Sequence, residues 1–70
     1  MSLNYAYNYA YIDPDTNMCV EFFSQNVRPT DMTNLVEVPV NDPEYIMKYY
    51  INGAWYEDSE GTIPWTSALL

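Results

Sequence analysis

The sequence predicts a mainly β protein, of the β or α+β class: a small antiparallel sheet of two hairpins plus an edge strand, with one short helical turn near Pro43. Three observations support this fold. Residues alternate with a period of two from Asn4 to Ile12, a Val-rich run covers 35–40, and Asn52-Gly53 separates two β-prone runs. A chain of 70 residues is expected to form one small domain, residues 1–70.

The first hairpin is predicted over residues 4–24. Residues 13–17 read Asp-Pro-Asp-Thr-Asn, which favours a turn, and 18–24 form the returning strand. Closing the loop there sets Tyr11 against Val20 and Tyr9 against Phe22, both apolar pairs. This register places the ladder of alternating tyrosines on the better-buried face of the hairpin. The ladder consists of Tyr5, Tyr7, Tyr9 and Tyr11.

The middle of the chain predicts a connection, an edge strand and a helix start. Polar residues and Pro29 interrupt any period over 25–34, where a helical turn is expected around 31–34. The Val-rich run 35–40 contains Pro39, which cannot donate to a ladder, so this strand is expected at a sheet edge. Asp42 followed by Pro43 is typical of an N-cap and the first helical position.

The second hairpin is predicted from Asn52-Gly53, because this dipeptide suits a two-residue type I′ turn. The register then sets Tyr50 against Trp55, Tyr49 against Tyr56, and a lysine at 48 against a glutamate at 57. Residues 59–70 form an apolar C-terminal tail after a linker of Ser-Glu-Gly-Thr. The tail is expected to pack on the sheet or on a neighbouring subunit.

The segment 48–58, Lys-Tyr-Tyr-Ile-Asn-Gly-Ala-Trp-Tyr-Glu-Asp, resembles the K-Y-Y-x-x-G-x-W-Y endings of small tail-associated proteins and fibre-assembly modules of phages and prophages. The resemblance covers these residues alone. It implies a viral structural or accessory role, and it carries over no functional residue.

Composition excludes several classes of partner. Ten acidic residues against Arg28 and Lys48 give a net charge of −8, so no basic patch for nucleic acid is available and anionic membrane surfaces are repelled. The chain contains no run of about 18 apolar residues that could span a bilayer and no signal-peptide pattern at its start. A single cysteine, Cys19, is typical of a reducing compartment, so we expect a cytoplasmic location, or the virion if the protein is viral.

No pattern in the sequence indicates catalysis, a cofactor or a metal. The chain has no histidine, no phosphate-binding glycine loop and no nucleophile with an evident base. Asp13, Asp15 and Asn17 match the start of a calcium loop, but Met18 and Ser24 stand where that loop needs Gly and Glu. Cys19 lacks a basic neighbour and is expected to be an unreactive, partly buried thiol. We therefore expect a protein that is not an enzyme.

Self-association is the expected source of extra stability. So short a chain buries only about 60% of its unfolded surface, and it has neither a disulfide nor a zinc pattern to compensate. Its aromatic residues exceed what a small core easily encloses, and rings are favoured at interfaces. We expect contacts with further copies and with another protein, through these residues: Tyr5, Tyr7, Tyr9, Tyr11, Tyr49, Tyr50, Trp55, Tyr56 and Trp65.

Two alternatives remain open at this point. The net charge of −8 suits an acidic mimic of DNA that blocks a nucleic-acid-binding host protein, which requires the acids in a stripe. The rings of the second hairpin suit a carbohydrate-binding module, which requires coplanar exposed rings.

Overall fold

The structure, a computed structural model, describes residues 7–70, and the predicted mainly β class is confirmed. Tyr5 and the start of its predicted strand lie outside the described residues. The two hairpins lie in separate antiparallel sheets, with strand orders β2-β1-β3 and β4-β5. The strands are β1 Tyr7–Ile12, β2 Cys19–Gln25, β3 Leu35–Val38, β4 Tyr49–Ile51 and β5 Ala54–Tyr56, and a 3₁₀ turn covers Pro43–Tyr45.

The first hairpin has the predicted turn but not the predicted register. Ile12 pairs with Cys19 as the turn requires, and Asn17 adopts a positive φ of 65°. Val20 is then an extra residue in β2, a β-bulge that displaces every later pair by one. Tyr9 consequently lies opposite Phe23 rather than Phe22, so the predicted pairs were wrong. A bulge leaves no clear mark in the hydrophobic pattern.

The tyrosine ladder also lies on the opposite face from the one predicted. The main core is built from the alternate residues of β1, Ala10 and Ile12, together with Cys19, Val38 and Tyr45. Tyr50, Trp55 and Trp65 are partly buried against this cluster. The prediction that the ladder occupies the better-buried face was therefore wrong, although Tyr9 itself is fully buried.

The edge strand and the helix start are as predicted. β3 pairs only with β1 and ends at Val38, directly before Pro39. The Asp42 carboxylate accepts a hydrogen bond from the Glu44 N–H at 2.9 Å, and Pro43 opens the 3₁₀ turn. The expected helical turn at 31–34 is a hydrogen-bonded turn without a helix.

The second hairpin has the predicted aromatic register. Tyr49 pairs with Tyr56 and Tyr50 with Trp55. Asn52 and Gly53 have φ values of 50° and 84°, as a type I′ turn requires. The expected ion pair between residues 48 and 57 is not among the salt bridges of residues 7–70, and the Lys48 ammonium lies over the Trp65 ring.

The C-terminal tail lies against the second hairpin of its own chain. The Asp58 carboxylate accepts hydrogen bonds from the N–H groups of Thr62 and Ile63, which turns the chain back. Trp65 then donates its N–H to the carbonyl of Trp55 at 3.0 Å. The tail thus runs beside β5 and places a second tryptophan next to the first.

Candidate aromatic binding site

A cleft of about 310 Å³ opens between β5 and the C-terminal tail. β5 supplies Trp55, and the backbone hydrogen bond from Trp65 fixes the second ring beside it. The 3₁₀ turn supplies Tyr45 as the floor. The full lining is Tyr45, Ala54, Trp55, Pro64, Trp65, Thr66, Ser67 and Leu70.

Tyr45 holds the two tryptophans in fixed orientations. Its ring lies 4.8 Å from each, at angles of 67° to Trp55 and 80° to Trp65, which are edge-to-face contacts. Phe22 stacks on Tyr45 from the sheet, with ring centroids 5.8 Å apart. Tyr45 is only 2% exposed, whereas both tryptophans are half-buried. The cleft therefore has two half-buried tryptophan walls, each held edge-to-face against a buried tyrosine floor.

A buried carboxylate lies behind the polar side of the cleft. The Ser67 hydroxyl donates to the Asp42 carboxylate, and both side chains are buried. The hydrogen bonds from Ser67 and from the Glu44 N–H lower the pKa of Asp42, and the charge of Lys48 acts in the same direction. Asp42 is thus ionised at neutral pH, and its charge lies one side chain away from the cleft.

Both basic residues of the chain contact aromatic rings. The Lys48 ammonium lies 5.1 Å from the centroid of Trp65, and the Arg28 guanidinium lies 4.9 Å from that of Tyr7. Arg28 also pairs with Glu37 at 3.2 Å. Neither cation is therefore without a partner inside its own chain.

The predicted tyrosine ladder does not form one continuous surface. Tyr9 is fully buried beside Phe23, at a ring distance of 5.6 Å, and its hydroxyl donates to Glu37. Burial, followed by the charge of Glu37, raises the pKa of Tyr9. Tyr7 is half-buried under the guanidinium, and Tyr11 is 37% exposed. Of these three, Tyr11 offers the most surface to a partner.

The residues predicted from the second hairpin do come together. Tyr49, Tyr50 and Tyr56 are half-buried, and Tyr50 packs on Trp55 with centroids 5.0 Å apart. Sequence reasoning missed Tyr45, the residue that joins the rings. Its position three residues after the predicted N-cap, Asp42, was the available signal, because it placed Tyr45 within the predicted turn.

Four aspartates use their charge to close turns. The carboxylates of Asp13, Asp31, Asp42 and Asp58 each accept a hydrogen bond from a backbone N–H close along the chain. Part of the acidity thus has a structural use in closing turns.

The remaining candidate chemistry is limited. Cys19 is fully buried, and burial raises the pKa of its thiol to about 11, which agrees with the expected unreactive cysteine. Across residues 7–70, no three His, Cys, Asp or Glu side chains are grouped to hold a metal ion. In the same range, no helix has the length and apolar character needed to cross a membrane.

A second candidate surface is the outer edge of β2. Met47 and Lys48 pair with its first residue, Cys19, and within residues 7–70 no strand pairs with the edge beyond that point. β2 contains no proline or lysine, the residues that usually protect a sheet edge. Val20, an apolar residue near the start of β2, is 39% exposed.

Comparison with protein-family models, with curated proteins and with solved structures gave no match to this chain.

Proposed function

We propose that this chain is a non-enzymatic assembly protein that associates with further copies of itself and docks on another protein. The phage-type, virion-associated role implied by the resemblance of segment 48–58 is part of this proposal. The observation that carries it is the outer edge of β2, which offers backbone hydrogen-bonding groups on a strand that also carries the exposed apolar side chain of Val20.

The hydrogen-bond alternation of the sheet identifies the groups on this edge. The Ile12 N–H donates toward the segment that leads into β3. Because consecutive residues bond to alternate sides, Tyr9 bonds toward β2, where Phe23 is its partner. Phe22 and Ser24 therefore direct their N–H and C=O groups outward, available to another strand.

The edge is self-complementary in one antiparallel register. With Phe23 on a twofold axis, Phe22 lies opposite Ser24 of a second copy, and the four outward groups of each strand segment form hydrogen bonds. Glu21 then lies opposite Gln25 of the second copy, so no two glutamates face each other across the axis. This closed, twofold arrangement is the commonest form of homo-oligomer.

Light scattering over a range of protein and salt concentrations tests the proposal. Each copy carries a net charge of −8, so association is expected to strengthen as salt screens the repulsion. A strict monomer at micromolar concentration in high salt would contradict self-association.

Disulfide trapping tests the register. A mixture of the variants Glu21→Cys and Gln25→Cys is expected to form a crosslinked pair under mild oxidation, because the two positions face each other across the axis. Each variant alone is the matched control and should crosslink far less. The native Cys19 thiol is buried and should not interfere. If the protein forms an oligomer but the mixed crosslink is absent, self-association stands and the β2 edge is rejected as its interface.

A further inference from the structure

We infer that the cleft between Tyr45, Trp55 and Trp65 binds an arginine side chain of a basic partner protein. The inference rests on the docking half of the proposed function and names the chemistry of the partner. It is independent of the β2 edge, which lies on a different strand.

The walls of the cleft suit a cation. Aromatic faces attract ammonium and guanidinium groups within about 6 Å of the ring centroid. Lys48 already occupies such a position over Trp65, so this ring attracts a cation within the protein itself. Tyr45 fixes both tryptophans through edge-to-face contacts, so little side-chain freedom is lost when a ligand enters.

The net charge of the chain has the sign complementary to a cation. The ionised Asp42 lies directly behind Ser67, which lines the cleft. Exposed Glu44 directly precedes Tyr45 in the sequence, exposed Glu57 lies two positions after Trp55, and the whole chain carries a net charge of −8. The net negative charge of the chain therefore attracts a cationic ligand at long range. Within the cleft the attraction comes from the aromatic faces, because the lining holds no carboxylate and the Lys48 ammonium lies over the Trp65 ring.

The cation must come from a different protein. Arg28 and Lys48 are the only basic residues of the chain, and both contact rings of their own molecule. A second copy would bring a further net charge of −8 to the site, whereas a basic partner would neutralise it.

The cleft favours arginine over lysine. Its lining contains no carboxylate to pair with a compact, strongly hydrated ammonium group. A guanidinium is planar, more weakly hydrated and able to stack on rings. A volume of about 310 Å³ leaves room for one extended side chain of this size.

Tryptophan fluorescence measures binding directly, because both tryptophans of the chain line the cleft. We would titrate the protein with N-acetyl-arginine amide and with the citrulline counterpart, which has nearly the same shape and no charge. The arginine compound is expected to give a saturable change, and citrulline to bind about fivefold more weakly or worse. Equal binding of the two, or no change with arginine, would overturn the inference.

Variants at Ala54 locate the site without disturbing the core, because this lining residue is exposed beside the hairpin turn. Ala54→Lys should weaken arginine binding severalfold, Ala54→Glu should strengthen it, and Ala54→Gln is the uncharged control. Leu69→Ala, an exposed tail residue outside the lining, should leave binding unchanged. Indifference to the charge at position 54 would place the ligand elsewhere and reject the cleft.

Light scattering on the same samples separates the two ideas. If the protein is a monomer that binds arginine, the inference about the cleft stands and the proposed self-association is rejected. If the protein is an oligomer that binds arginine and citrulline equally, the proposed self-association stands and the inference of a cationic partner is rejected.

Discussion

Tyr45 is expected to be the side chain on which the second half of the fold depends. It is 2% exposed and contacts the rings of Phe22, Trp55 and Trp65. Replacing a buried aromatic residue by alanine costs about 3 to 5 kcal/mol. A domain of this length is stable by only about 4 to 10 kcal/mol, at 0.05 to 0.15 kcal/mol per residue. Tyr45→Ala should therefore remove at least about a third of the free energy of unfolding, and all of it if the stability lies at the low end of this range.

Urea unfolding followed by tryptophan fluorescence and circular dichroism, at one fixed protein concentration, measures this loss. Tyr45→Phe is the matched control, because it keeps the ring and removes only the hydroxyl, with an expected loss of at most about 1 kcal/mol. A loss below about 1 kcal/mol for Tyr45→Ala would refute the view that this ring joins the tail and the second hairpin to the sheet.

Three further predictions concern the turns, acid and the buried thiol. Gly53→Ala should cost about 1 to 2 kcal/mol of stability through its positive φ alone. Gly61→Ala should cost more, because its new Cβ would also lie 3.3 Å from the Ile51 side chain. The urea midpoints of both variants test this order. The pKa values of Asp42 and Asp58 are lowered, so these carboxylates stabilise the fold above the ordinary carboxyl pKa of about 3.9, and this stabilisation is lost as the pH falls below it. Thermal unfolding of the wild type and of Asp58→Asn at several pH values tests this. The melting temperature of the variant should fall less steeply in acid. Burial raises the pKa of Cys19, so the stabilisation from its neutral thiol is complete below the ordinary thiol pKa of about 8.5 and is lost as the pH rises toward about 11. A thiol reagent should label Cys19 only under unfolding conditions. Rapid labelling of the native protein at neutral pH would contradict the burial.

Local signals located most of the secondary structure. The alternation that begins at Asn4, the Asn52-Gly53 turn and the Asp42-Pro43 cap each act through neighbouring backbone groups, so a short stretch of sequence carries their whole cause. The strand limit at Pro39 has the same origin, because the missing N–H ends the ladder wherever it falls. These predictions needed no knowledge of the rest of the chain.

The candidate site was only partly predictable. Trp55 and Trp65 could be named as aromatic contacts, but their separation of ten positions says nothing about distance in space. The turn capped by Asp58 and the backbone bond between the tryptophans bring them together. Tyr45 joins them from a third segment. Such a cluster depends on long-range packing, which no period or short motif encodes.

The sequence by itself determined the β class, the turn positions, the register of the second hairpin and the strong negative charge. The tertiary structure alone decided which face of β1 is buried, because the bulge at Val20 and the packing of Ala10 and Ile12 with Cys19, Val38 and Tyr45 outweigh the local alternation of tyrosines. The physical reason is that turns and caps are settled by nearest neighbours, whereas burial is settled by the complementary shape of segments distant in sequence.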